Sequence, residues 1–210
     1  MAPLARSTTA LTILLLLLPA ALRAQARGLP VFNSGYGTGG GIAADVGFGN
    51  DAAGTGTTIG ATATAGAAFI GVSATVARGT ANDNAVWSQG VAVSVRLVGG
   101  PFIPFRLTLQ AGAGRWNQGI VETVRLPVSL GIAAVIPVPG LAIRPWLAPR
   151  IDYQSTTFEN SDISSTDWGI SGGIELALLN GLTIRSAYDR SFADSDPGIL
   201  SLGVGLSLRR

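Results

Sequence analysis

The chain has 210 residues, enough for one domain, and only 12% of them are charged, against about a quarter in a typical soluble domain. It contains no Cys, so no disulfide can staple it, and no His, the side chain on which most general acid–base and zinc sites depend. All 14 basic residues are Arg; two precede residue 27, and the remaining 12 balance 12 Asp plus Glu, which excludes a nucleic-acid footprint despite the formal charge of +2.

Residues 1–26 read as a secretory signal peptide. Arg6 supplies the basic start, Leu11 to Leu18 the apolar run, and Ala24-Gln25-Ala26 a small-x-small cleavage site. The run is too short for a spanning helix, which needs about 20 apolar residues. Residues 27–39 read as a flexible leader. Within it, Gly35 to Gly40 matches the letters of a dinucleotide fingerprint, but that motif needs a strand before it and a helix after it, and here a strand follows.

From residue 40 onward, period-two alternation recurs ten times, over 40–50, 57–66, 68–78, 86–98, 102–113, 121–136, 141–154, 166–179, 182–192 and 198–208. The last of these shows it without interruption: Leu200, Leu202, Val204, Leu206 and Leu208 alternate with Ser201, Gly203, Gly205 and Ser207. Most segments run 10–14 residues, longer than the usual soluble strand of about 5–6 residues. They are long enough to cross a hydrocarbon core, which takes roughly 9–11 tilted residues. Short turns at 66–67, 99–101, 137–140 and 180–181 alternate with longer polar stretches at 51–56, 79–85, 114–120, 155–165 and 193–197. Phe48, Trp87, Trp116, Tyr153, Phe158, Trp168, Tyr188 and Phe192 fall near the long-loop ends, and Phe69, Phe102 and Phe105 near the short turns. Two aromatic girdles are the preference of ring side chains for membrane interfaces.

On these strands and girdles, residues 40–208 resemble the small outer-membrane β-barrel proteins of bacteria, and 40–210 is taken as the barrel domain. The resemblance implies an all-β, antiparallel up-and-down barrel of about ten strands, with eight or twelve as neighbouring possibilities. It also implies a bacterial outer-membrane location, with membrane lipid and the barrel-insertion machinery as partners. Pro145 and Pro149 each delete a ladder hydrogen bond that a closed barrel must do without.

If the apolar sets face lipid, the opposite sets face the lumen. These carry Asp45, Arg96, Arg106, Arg125, Arg144, Arg150, Asp152, Glu175, Arg185 and Asp189. The sorting has a physical cause, because an Arg on the lipid face at mid-membrane costs about 2–4 kcal/mol. A three-residue turn at 179–181 sets Glu175 opposite Arg185 as an ion pair. A two-residue Val138-Pro139 turn sets Arg125 opposite Asp152, whereas a four-residue turn would oppose Arg125 to Arg150, two like charges.

The expected role is structural, the lumenal charges acting as a polar plug, or else a narrow Arg-lined pore for small solutes. The alternatives are a surface-binding module acting through its loops and a soluble periplasmic barrel with its apolar sets turned inward onto a ligand. No enzyme, cofactor or metal is expected. Membrane-barrel hydrolases that work through a catalytic His are ruled out, and the acidic groups Glu159, Asp162, Asp167 and Asp194, Asp196 have no ordered calcium-loop spacing.

Overall fold

The computed structural model describes residues 26–35, 40–49, 56–81, 84–100, 103–159, 161–193 and 198–208. The signal-peptide residues before Ala26, with Phe102, Asp194 and Asp196, lie outside them. The strands are β1 (Gly41–Phe48), β2 (Thr57–Ala67), β3 (Ile70–Ala81), β4 (Asn84–Gly100), β5 (Ile103–Gln118), β6 (Val121–Ala134), β7 (Ile136–Val138), β8 (Leu141–Phe158), β9 (Ser161–Leu178), β10 (Leu182–Ser191) and β11 (Ile199–Ser207).

Apart from β6 and β7, strands that are neighbours in sequence pair antiparallel, and β1 pairs with β11 while β6 pairs with β8, so the sheet closes on itself. Strands β6 and β7 are two pieces of one staff, which makes this a ten-stranded barrel. The break has a cause in the two prolines. In the β6–β8 register, Pro145 falls beside the interruption at Val135 and Pro149 faces the stretch between Ser129 and Ile132 where pairing lapses. Both prolines keep regular places against β9, on their other side. Closure survives because the lost bonds are confined to a single seam.

The alternation sorts as expected. Ile42, Val93, Leu130, Ile174, Leu202 and their like are exposed on the outer wall, which Trp87 and Trp168 border on one side and Phe69 and Phe105 on the other. Small and polar residues face inward. A soluble barrel with its apolar sets inside and its arginines in water is therefore excluded. Trp116 departs from the girdle: it sits opposite Ser88, an inward position, and is only half-exposed.

Three stretches read as loops are strand instead. Residues 79–85, 114–120 and 155–165 belong mostly to β3–β4, β5–β6 and β8–β9. β8 and β9 each run 18 residues, about 60 Å at roughly 3.4 Å per residue, so their hairpin stands well beyond the membrane. Above the girdle both faces meet water, so hydrophobic alternation stops while pairing continues. Polar residues on both faces concealed the strand.

The turns decide register. Gly181 adopts φ 90° in the three-residue turn, and Arg185 stands opposite Glu175 as expected. The β7–β8 turn differs: it is Pro139-Gly140, with Gly140 at φ 87°. Proline suits the first central place of a type II turn and glycine the second, whereas a Val138-Pro139 turn has no residue able to take positive φ. The register consequently shifts, putting Arg125 opposite Gln154 and Asp152 opposite Pro127.

A candidate lumenal site

Eight of the ten expected lumenal charges form ion pairs. Arg144 donates to Glu175 (2.7 Å), Arg125 to Asp152 (2.5 Å), Arg150 to both Asp152 (2.8 Å) and Asp189 (2.5 Å), and Arg185 to Asp45. The Arg125–Asp152 pair is a diagonal contact, within reach of a long side chain although the two residues are not directly opposed. Glu175, flanked by Arg144 on one strand and Arg185 on the other, bonds Arg144. The expected Glu175–Arg185 pair is thus replaced, because Arg185 reaches away to β1. Arg96 and Arg106 donate to the carbonyls of Ala68 (2.6 Å) and Gly35 (3.4 Å) near the short-turn rim.

Two of these bonds skip a strand, and a glycine makes each possible. Gly203 of β11 lies opposite both Arg185 of β10 and Asp45 of β1. A methyl group there would come within 1.9 Å of Asp45 Oδ1. Similarly, Arg150 of β8 crosses β9 at Gly169, where a Cβ would lie 2.8 Å from the guanidinium carbon, and reaches Asp189 on β10 through two bonds. Ser171 completes this cluster, accepting from Arg150 (2.6 Å) and donating to Asp189. Arg150 is 1% exposed.

Gly203→Ala should accordingly destabilise the barrel by roughly 1–3 kcal/mol through overpacking and loss of the Arg185–Asp45 bond. Gly100→Ala, with nothing within 4 Å of the added methyl, should be neutral. Urea unfolding of the refolded variants checks both, and equal midpoints would refute the crossing role of Gly203.

The leader expected to be flexible is packed inside the barrel over residues 26–35. Ala26, Leu29, Val31 and Asn33 are each no more than 5% exposed. Leu29 lies against Gly47, Gly60 and Ala77, where side chains on those glycines would collide with the leader or its neighbours. The Phe32 ring packs against Trp146, with centroids 6.2 Å apart, and beneath the Arg185 guanidinium at 4.2 Å. Asn33 donates to Ser129 Oγ (2.9 Å) and to the Thr108 carbonyl (3.1 Å), and the Val31 amide points at Asp189 (3.4 Å). The one hint in the sequence was Leu29-Pro30-Val31-Phe32, four apolar residues in a supposed linker. Trp146 and Ser171 were equally unforeseen as lumenal contacts.

The space left between strap and wall is small, a cavity of about 60 Å³ bordered by Leu29, Phe32, Thr62, Thr75, Gln110 and Ser129. Among the described residues, no group of three or more His, Cys, Asp or Glu side chains is placed to hold a metal ion.

No protein-family model matches the chain, and no curated protein matches it in sequence. Solved structures do. The β-domain of the Bordetella autotransporter Brka aligns with a TM-score of 0.53 at 10% identity, covering 81% of this chain and 100% of that one. The translocator domain of the autotransporter NalP from Neisseria meningitidis aligns at 0.44 and 13% identity, covering 80% and 87%. Ail, the attachment invasion locus protein of Yersinia pestis, aligns at 0.37 and 11% identity, covering 80% and 95%. The likeness to the Brka β-domain, at 10% identity, is one of fold: this chain has the fold of an outer-membrane β-barrel.

Proposed function

We propose that the chain is an outer-membrane barrel with a sealed lumen, acting as a structural element of that membrane and not as an open conduit. The burial of Arg150 between Asp152 and Asp189 carries this reading. A conducting pore needs mobile, hydrated charge along its path, whereas here four arginines are matched by four carboxylates, Asp45, Asp152, Glu175 and Asp189, and the strap fills the space beside them. The apolar outer wall supports contact with lipid, reached through the barrel-insertion machinery after removal of residues 1–26. No catalysis is assigned, since the chain has no His and each of the four carboxylates of the network is engaged by an arginine. Surface binding through loops is less favoured, because three of the five outer connections, 82–83, 119–120 and 159–160, are only two residues long.

Planar-bilayer recording of the refolded chain beginning at Arg27 tests the proposal. It should insert and remain electrically silent. Steady anion-selective steps that shrink in Arg125→Gln would overturn it in favour of an Arg-lined pore.

A further inference from the structure

The direction in which the strap crosses the lumen has a topological consequence. Its contacts order themselves along the barrel axis. Arg27 donates to Gln118 (2.6 Å), the last residue of β5 at the long-hairpin rim. Gly28 lies against Thr58, which pairs with Gly79 near that same rim. Val31 and Phe32 occupy the middle, beside Asp189, Trp146 and Arg185. Asn33 lies lower, between Thr108 and Ser129. Gly35 accepts from Arg106, four residues into β5 from its short-turn end, and the Gly40 carbonyl accepts from Leu208 where β1 and β11 begin and end. The described residues, 26–35 and then 40, therefore order from the long-hairpin mouth to the short-turn rim, where β1 begins.

We infer that the strap is threaded with its amino-terminal end outward, so that a mature amino terminus at Arg27 is displayed at the cell surface through the outer mouth. In barrels of this kind the short turns face the periplasm and the long hairpins face outward. A leader merely trailing into the periplasm would have no reason to bury Leu29, Val31 and Asn33 in this order. This inference does not depend on whether the lumen conducts.

The test uses the full precursor in cells. A short epitope is inserted between Ala26 and Arg27, with control epitopes at the Pro139-Gly140 turn and at the Glu159 hairpin tip. Antibody should bind the Arg27 and Glu159 epitopes on intact cells and the Pro139-Gly140 epitope only after permeabilisation. Because the chain has no Cys, the double variants Arg27→Cys with Gln118→Cys and Asn33→Cys with Ser129→Cys can be bridged by a short thiol-specific cross-linker that spans the side chains removed. Both pairs should cross-link. An Arg27 epitope reached only after permeabilisation overturns the inference. So does failure of either pair to cross-link in a folded barrel, whatever the epitope shows.

Discussion

Arg150→Ala should lower the stability of the refolded barrel by about 3–5 kcal/mol, the loss expected when one partner of a buried ion pair is removed and the other is stranded. The size of the effect comes from the wiring. Arg150 donates to Asp152, Ser171 and Asp189, so its removal leaves Asp189 with only Ser171 and a distant Val31 amide. Asp152 retains Arg125. Most of the penalty should therefore be traceable to Asp189, and Arg150→Met combined with Asp189→Asn should recover more than half of it. Arg115 provides the contrast. It pairs with Glu122 on the outer face of the rim, where the two side chains are 28% and 40% exposed, and Arg115→Ala should cost no more than about 1 kcal/mol. Urea titration followed by tryptophan fluorescence distinguishes the cases, and an Arg150→Ala midpoint equal to that of the parent would show that the buried network contributes nothing.

Replacing residues 29–33 with a Gly-Ser stretch of equal length should turn a silent barrel into a conducting one. The strap is the only segment, among the described residues, that crosses the lumen outside the strands. Beside it stands a wall of Thr62, Ser73, Thr75, Gly90 and Gly112, whose short side chains cannot fill the space alone. Once Leu29, Val31 and Phe32 are gone, the existing cavity should merge with their former seat into a wet path along β2 to β5. The arginine network, seated mainly on β8, β10 and β1, would line the opposite side and favour anions. Stability should fall as well, since each buried apolar side chain of this size is worth about 1.5–3 kcal/mol. Current recording and far-ultraviolet circular dichroism are needed together. A variant that keeps its sheet signal yet stays silent would mean that the charge network seals the lumen unaided.

The amino-acid sequence by itself determined which face of each strand meets lipid, because lipid and lumen impose opposite demands on alternate residues. Ile184 and Arg185 could not exchange places. The same demand located ten staves and turned ten charges away from the membrane. It also set the β9–β10 register, since the faces of the two strands match only across an odd-numbered turn, 179–181, in which Gly181 takes positive φ. Where the demand lapsed, the reading lapsed too: above the girdle Thr156, Ser164 and Thr166 remain in strands with water on both sides, and no alternation marks them.

Only the tertiary structure decided which charges meet. Arg185 finds Asp45, 140 positions away, because closure brings β1 alongside β11 and Gly203 clears the space between them. Strand-by-strand reasoning sees directly opposed neighbours, and so it assigned Arg185 to Glu175. The strap was hidden for a related reason. Ten residues without periodicity carry no local signal of burial, and their seat exists only after the barrel has closed around them. Leu29, Phe32 and Asn33 are held by Gly47, Trp146 and Ser129, residues drawn from three staves of the closed barrel. Solvent preference is local and can be read along a chain; mutual fit inside a closed lumen is a property of the whole circle of strands.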